Sequence, residues 1–172
     1  MPPPFISRTF AGVAAAIVFS ASGSACPASP YQSSQLPSWA EAQWTSFAKS
    51  RAVVRATSTD VLMPTVLTGD FDGDLRDDVA VLVDDAQQHK RGIVILHRST
   101  TPPLLVGAGV DFGNGGDDFA WMDHWAVVAS TLGTSSKTTE SPRAALLVEK
   151  QEAGGGIIAM VQGRYHWRQY GN

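Results

Sequence analysis

Short apolar runs separated by turn residues dominate the chain from residue 52 onward, and this pattern is typical of β-strands. The predicted strands are Ala52–Thr57, Thr65–Thr68, Val79–Val83, Gly92–His97, His124–Thr131, Ala144–Glu149, Gly156–Val161 and Arg164–Tyr170. Gln162-Gly163 separates the last two and suits a two-residue hairpin turn, because glycine adopts a positive φ without steric cost. About eight short strands predict a mainly β fold, a small antiparallel β-sandwich or barrel, forming a single domain over residues 38–172.

One helical segment precedes the strands. The sequence from Ser38 to Glu41 matches a capping box, in which the serine oxygen and the glutamate carboxylate bind the first free backbone amides of a helix. It predicts a short helix over about 39–49. Trp39, Trp44 and Phe47 would lie roughly on one side of this helix, as core contacts do.

The first 25 residues have the pattern of an export signal. Arg8 is their only charge, a ten-residue apolar run extends from Phe10 to Phe19, and small residues follow it. As a helix that run spans about 15 Å, roughly half the thickness of a bilayer core, so a permanent membrane anchor is not expected. Residues 26–37 are rich in proline and serine and predict a flexible tether.

Cys26 directly follows Gly23-Ser24-Ala25, and this arrangement resembles the bacterial lipobox, whose cysteine is lipidated. Gly23 stands where the lipobox usually has leucine, so a plain cleavage near Ala25 is the alternative to a lipid anchor at Cys26. Either outcome predicts an exported protein of the periplasm, the outer membrane or the extracellular space.

Charge and cysteine content narrow the possible partners. The chain has 13 basic and 16 acidic side chains, a net charge of -3, which disfavours nucleic acid or an anionic membrane surface as a purely electrostatic partner. Its single cysteine cannot form an internal disulfide or a multi-cysteine zinc site. Any additional stabilising device must therefore come from other side chains.

Acidic residues concentrate in one stretch, residues 70–78, which we call the acidic loop; seven of the sixteen lie between positions 70 and 85. Two carboxylates about 4 Å apart repel by roughly 1 kcal/mol in water and about 4 kcal/mol at an effective dielectric constant of 20. Such crowding favours a bound cation. A solvated, aspartate-rich β-turn is the alternative interpretation.

The spacing within the acidic loop suits calcium, which takes six to eight oxygen ligands at about 2.3–2.6 Å. Three carboxylates alternate along it and a fourth returns at the next strand, with one backbone carbonyl between them. In order, these groups belong to Asp70, Asp72, Asp74, Arg76 and Asp78.

The stretch from Thr68 to Leu82 resembles the calcium loop of FG-GAP/VCBS repeats. The resemblance implies that Asp70, Asp72, Asp74, the carbonyl of Arg76 and Asp78 bind Ca²⁺. Leu75 departs from this family, which prefers glycine at that position. Since the chain contains one such loop, a calcium-binding β-domain is expected rather than a complete propeller.

Aromatic residues, histidine and arginine near the C-terminus are candidates for a binding surface, since tryptophan, tyrosine and arginine carry most of the energy at interfaces. Core packing is the simpler alternative. The candidates are Trp121, His124, Trp125, Tyr165, Trp167 and Arg168. A small hydrolase using Asp123 and His124 is a further alternative.

No enzyme signature is complete. Ser46 and Lys49 match the S-x-x-K pattern of penicillin-recognising enzymes, but neither S-D-N nor K-T-G follows. The leading hypothesis is therefore an exported, non-catalytic calcium-binding domain that recognises another envelope or extracellular protein. The order of signal, acidic loop and aromatic hairpin is also similar to bacterial envelope proteins that inhibit lysozyme-like cell-wall hydrolases or confer immunity to them.

Overall fold

The computed structural model describes residues 35–56, 64–130 and 143–171. The predicted signal of residues 1–25, Cys26 and most of the predicted tether lie outside these ranges. Within them, no helix has both the length and the apolar character needed to cross a membrane.

The described residues form one α-helix, nine β-strands and a 3₁₀ turn at Gly113–Gly115. In chain order the elements are α1 (Ser38–Arg51), β1 (Val53–Arg55), β2 (Val66–Gly69), β3 (Asp78–Asp85), β4 (Arg91–Leu96), β5 (Leu104–Gly107), β6 (His124–Ser130), β7 (Arg143–Lys150), β8 (Gly154–Val161) and β9 (Arg164–Tyr170). The mainly β fold is confirmed.

The strands form two antiparallel sheets. In the five-stranded sheet, β3 pairs with β4 on one side and with both β1 and β2 on the other, while β5 continues beyond β4. The four-stranded sheet is a simple meander of β6, β7, β8 and β9. Its last turn is confirmed as a two-residue hairpin, because Val161 pairs with Arg164 and both Gln162 and Gly163 have positive φ.

Burial on both faces of β3 places the five-stranded sheet in the middle of the molecule. Ala80 and Leu82 face the core between the two sheets. Val81 and its neighbours on the opposite face pack against Ala40 and Trp44 of α1. The architecture is therefore a β-sandwich of two sheets with one helix covering the outer face of the larger sheet.

Helix α1 begins differently from the sequence prediction. The prediction of a capping box at Ser38 is wrong, since Pro37 occupies the N-cap position and no side chain caps the helix. Glu41 is engaged elsewhere, because its carboxylate accepts two hydrogen bonds of 3.0 Å from Arg55. Leu36, assigned by its composition to the tether, is buried against this layer.

Strand β5 was not predicted, because its short apolar run ends in Gly-Ala-Gly. Gly107 has a φ of +69°, and a Cβ added to it would lie 2.7 Å from the carbonyl oxygen of Arg91. Glycine is thus required where the chain turns closely against the start of β4. The run forms an edge strand only because β4 provides its hydrogen-bonding partner.

Candidate functional site

The acidic loop is the connection between β2 and β3. Its ends are held together because Gly69 and Asp78 are cross-strand partners. Phe71 points inward and is only 1% exposed, which fixes the loop to the core between the sheets. The alternation of polar and apolar residues therefore leaves the neighbouring aspartates on the solvent side of this anchor.

Backbone amides of the loop orient its first three carboxylates. Asp70 accepts hydrogen bonds from the amides of Gly73 (2.6 Å) and Leu75 (3.0 Å), one on each oxygen. Asp72 accepts from the amide of Asp74 at 3.2 Å, and Asp74 accepts from the amide of Arg76 at 2.8 Å. These local bonds are those of successive aspartate turns, and they hold the side chains in one arrangement.

The three carboxylates meet at one point. One oxygen from each of Asp70, Asp72 and Asp74 lies within 4.8 Å of the others. Two oxygens bound to the same calcium ion at about 2.3–2.6 Å cannot be more than about 5.2 Å apart. The spacing of this group is therefore compatible with a shared cation of that size.

Asp78 lies behind the group rather than within it. Its carboxylate is buried and accepts three backbone hydrogen bonds, from Phe71 (3.0 Å), Asp72 (3.2 Å) and Arg98 (2.9 Å). Loss of solvation raises the pKa of Asp78 to about 6, although the amide of Arg98 works in the opposite direction. These bonds give Asp78 a clear structural role, which is to tie the loop to Arg98 in the segment after β4.

Two hydroxyl groups that the sequence analysis did not single out complete the surroundings of Asp72. Its Oδ2 accepts hydrogen bonds from Ser99 Oγ (2.6 Å) and Thr101 Oγ1 (3.1 Å). Partial burial acts to raise the pKa of Asp72, but these bonds and the amide of Asp74 outweigh it and keep the pKa below its usual value. The sequence signal that could have indicated these two groups is the run of three hydroxyl residues at positions 99–101, after β4.

A hydrogen-bonded pair, the buried His97 and the partly buried Tyr165, connects the two sheets beside this loop. His97 Nδ1 lies 3.1 Å from the carbonyl oxygen of Pro102, and its Nε2 lies 2.7 Å from the Tyr165 hydroxyl. Since a carbonyl can only accept, we assign the proton of His97 to Nδ1, which donates to Pro102. The unprotonated Nε2 then accepts a hydrogen bond from the Tyr165 hydroxyl. Burial lowers the pKa of His97 and raises that of Tyr165.

The acidic side chains Asp72 and Asp78 also lie close to His97, and these three could in principle hold a metal ion. Both nitrogens of His97, however, already have hydrogen-bond partners, and Asp78 is satisfied by backbone amides. This group is therefore better explained as a packed polar network. The three alternating aspartates remain the better candidate for a cation.

Two backbone positions shape the acidic loop. Gly73 has a φ of +84°, and a Cβ placed on it would lie 2.3 Å from Arg143 Nε, so the guanidinium lies directly against the loop. Leu75 also has a positive φ, +66°. Leu75 does not anchor the loop to the core, because its side chain is 77% exposed.

The six candidates for a binding surface do not form one patch. Trp125 is 3% exposed and donates its indole N–H to the carbonyl oxygen of Pro64, so it belongs to the core. Tyr165 is the partly buried partner of His97. Trp121 and Trp167 are half-buried neighbours with ring centroids 6.4 Å apart. His124 and Arg168 lie on the opposite face of the four-stranded sheet from the core.

Asp123 and His124 have separate partners. His124 Nδ1 lies 2.8 Å from a carboxylate oxygen of Glu149, its neighbour on β7. Asp123 accepts a hydrogen bond of 2.8 Å from the amide of Gln151. The structure therefore joins His124 to Glu149, not to Asp123.

Comparison of the chain with protein-family models, curated proteins and solved structures found no match.

Proposed function

We propose that this protein is an exported, non-catalytic recognition domain whose acidic loop binds one calcium ion. The observation that carries the proposal is the convergence of carboxylate oxygens from Asp70, Asp72 and Asp74 to within 4.8 Å of one another. Ionised groups this close repel strongly unless a cation lies among them. In the proposal, the carbonyl of Arg76 supplies a further oxygen, while Asp78, which the sequence also offered as a ligand, holds the loop from behind through its backbone hydrogen bonds.

The chemistry of the donors favours calcium over a transition metal. Carboxylate and carbonyl oxygens are hard ligands, which suit calcium and magnesium, whereas zinc and copper prefer nitrogen and sulfur. Each oxygen of Asp70 accepts one hydrogen bond, so a lone pair on each remains for a cation. The bound ion would neutralise the loop and hold it rigid, with no role in catalysis.

A cation-free loop is the competing explanation. Arg143 lies against Gly73 and brings one positive charge to the loop, while the aspartate turns supply hydrogen bonds. One arginine leaves most of the negative charge of the loop uncompensated, since Asp70, Asp72 and Asp74 all lie in it. A direct binding measurement distinguishes the two explanations.

The test is calorimetric titration of residues 27–172 with calcium, using Asp74→Asn and the matched control Asp77→Asn. Both substitutions remove one exposed negative charge from the loop, but only Asp74 belongs to the converging group. We expect wild type and Asp77→Asn to bind one calcium ion with similar affinity. Asp74→Asn should bind at least about tenfold more weakly, as expected from the loss of one charged ligand worth more than about 1.4 kcal/mol.

Failure of the wild type to bind calcium at millimolar concentration would contradict the proposal. Equal weakening by the two substitutions would show a general effect of loop charge and would also contradict it.

Export and recognition are tested separately. Mass spectrometry of the mature protein from its native host should show an N-terminus near residue 26, with or without a lipid on Cys26. The protein partner is expected to be another envelope or extracellular protein. A pull-down with lysozyme-like cell-wall hydrolases, together with a lysis assay, tests the inhibitor or immunity alternative. The absence of both enrichment and protection would exclude this alternative.

A further inference from the structure

A second site is formed at the end of the sandwich where the 3₁₀ turn approaches β9. An open cavity of about 320 Å³ lies here, bounded also by the turn between β7 and β8. Its volume falls at the lower end of the usual range for ligand cavities, about 300–1,000 Å³. The space suits a ligand of one or a few small rings.

The aromatic wall of this cavity is held rigidly. Trp121 and Trp167 meet edge to face, with an angle of 78° between the rings. The indole N–H of Trp121 donates to the carbonyl oxygen of Gly115 at 3.0 Å. Trp167 is in close contact with Gly115 and Gly156, where an added Cβ would lie 2.8 Å and 2.1 Å from its ring. A preformed wall loses little conformational entropy when a ligand binds.

Polar groups border the same space and are partly unused. The side-chain oxygen of Gln169 accepts hydrogen bonds from Trp167 (3.2 Å) and Asn114 (3.4 Å), which fixes the orientation of both amides. The amide nitrogen of Gln169 and the amide oxygen of Asn114 bond to no other described residue. Lys150 also lines the cavity, and none of the described residues that line it carries a carboxylate.

This combination matches the chemistry of a saccharide. The polarised C–H groups of a sugar ring pack against the electron-rich face of an indole. Adjacent hydroxyls act as both donors and acceptors, so they can satisfy a free amide N–H and a free amide oxygen together. A purely apolar ligand would bury those amide groups unpaired, and a cation would meet Lys150 without a carboxylate to balance it.

We propose that the cavity between Trp121, Trp167, Asn114 and Gln169 is a binding site for a saccharide. This inference is independent of calcium, because the lining residues are separate from the acidic loop. The indole rings provide the contact surface, and the two amides determine which hydroxyl arrangement is accepted.

The test uses chitotriose, cellotriose and maltotriose as probes of the full mature chain. Nuclear magnetic resonance of the indole N–H groups resolves individual tryptophans. At least one trisaccharide should shift the signals of Trp121 and Trp167 and leave those of Trp44 and Trp125 unchanged, because the latter two lie in the α1 layer and the core.

Substitutions then connect binding to the amides. Gln169→Ala and Asn114→Ala change exposed residues, so both variants should fold. Each should raise the dissociation constant by about fivefold, the usual effect of one lost hydrogen bond between polar groups at a binding site. Arg168→Ala is the matched control, since its side chain is equally exposed but points to the other face of β9.

The proposal is overturned if none of the three trisaccharides binds with a dissociation constant below about 10 mM, which is near the limit of specific recognition. It is also overturned if Gln169→Ala, Asn114→Ala and Arg168→Ala all bind as the wild type does. Indole signals that shift only at Trp44 or Trp125 would place binding elsewhere.

Discussion

At the scale of single residues, the acidic loop depends on backbone conformations that side chains disfavour. Gly73 and Leu75 both have positive φ, and left-handed conformations cost an L-residue roughly 1–2 kcal/mol. Gly73 avoids this cost and also makes room for Arg143. Leu75 bears the cost without any compensating burial, since its side chain projects into solvent.

Leu75→Gly should therefore stabilise the protein. The relief of backbone strain, about 1–2 kcal/mol, exceeds the increase in unfolded-chain entropy, about 0.4–1 kcal/mol. We expect the free energy of unfolding, measured by urea denaturation, to rise by up to about 1.6 kcal/mol. His89→Gly, at another exposed position with positive φ, is the control for the backbone effect, and it should raise the free energy of unfolding by a similar amount. A loss of stability in Leu75→Gly would show that the leucine contributes a favourable interaction.

Gly73→Ala should destabilise the protein by about 2–4 kcal/mol, because its methyl group adds a steric clash to the cost of a positive φ. The added Cβ would lie 2.3 Å from Arg143 Nε. Gly163→Ala separates the two effects, since Gly163 has a similar φ of +77° with no atom within 4 Å of the added group. The control should lose only about 1–2 kcal/mol. An equal loss of stability in the thermal melts of the two variants would show that the Arg143 side chain moves away freely.

At the scale of secondary-structure elements, a partly buried hydrogen bond joins the two sheets beside the acidic loop. Tyr165 on β9 donates to His97, which directly follows β4, and His97 is fully buried. Burial keeps this histidine neutral by lowering its pKa. The neutral imidazole can then accept the tyrosine proton at Nε2 and donate from Nδ1 to Pro102.

Tyr165→Phe should lower the free energy of unfolding by about 1–3 kcal/mol, because it leaves the acceptor nitrogen of His97 buried without a partner. Tyr170→Phe is the matched control on the same strand, and it should have almost no effect because Tyr170 is 53% exposed. Chemical denaturation of both variants measures the difference. A wild-type stability for Tyr165→Phe would mean that water or a neighbouring group replaces the hydroxyl.

At the scale of the whole molecule, the acidic loop is connected to a distant part of the chain. Asp72 accepts hydrogen bonds from Ser99 and Thr101, and Asp78 accepts one from the amide of Arg98. A cation held by the loop would therefore also restrain the segment after β4. Its stabilisation of the fold follows from mass action, about 1.4 kcal/mol when free calcium is tenfold above its dissociation constant.

Removal of calcium by a chelator should lower the melting temperature and increase amide hydrogen exchange at two places, residues 70–75 and 99–101. Exchange in β8 and β9 should increase much less, because these strands make none of the hydrogen bonds described for the loop and respond only to the lower global stability. Asp72→Ala should abolish the response of the melting temperature. Identical melting and exchange with calcium and with chelator would contradict calcium binding.

The amino-acid sequence by itself determined the elements whose signals are local. Alternation of apolar and turn residues predicted the mainly β fold and most strands, and Gln162-Gly163 predicted the last hairpin, because two residues suffice to define such a turn. The spacing of Asp70, Asp72 and Asp74 likewise predicted that their carboxylates converge, since the bonds that orient them span only a few residues.

Only the tertiary structure decided the features that depend on contacts between distant residues. Strand β5 exists because β4 pairs with it, and Glu41 leaves the capping box because Arg55 lies beside it. Arg143 reaches Gly73 from seventy positions away in the chain, and Tyr165 reaches His97 across the two sheets. Local patterns carry no information about such partners, because which side chains meet is determined by how the sheets pack.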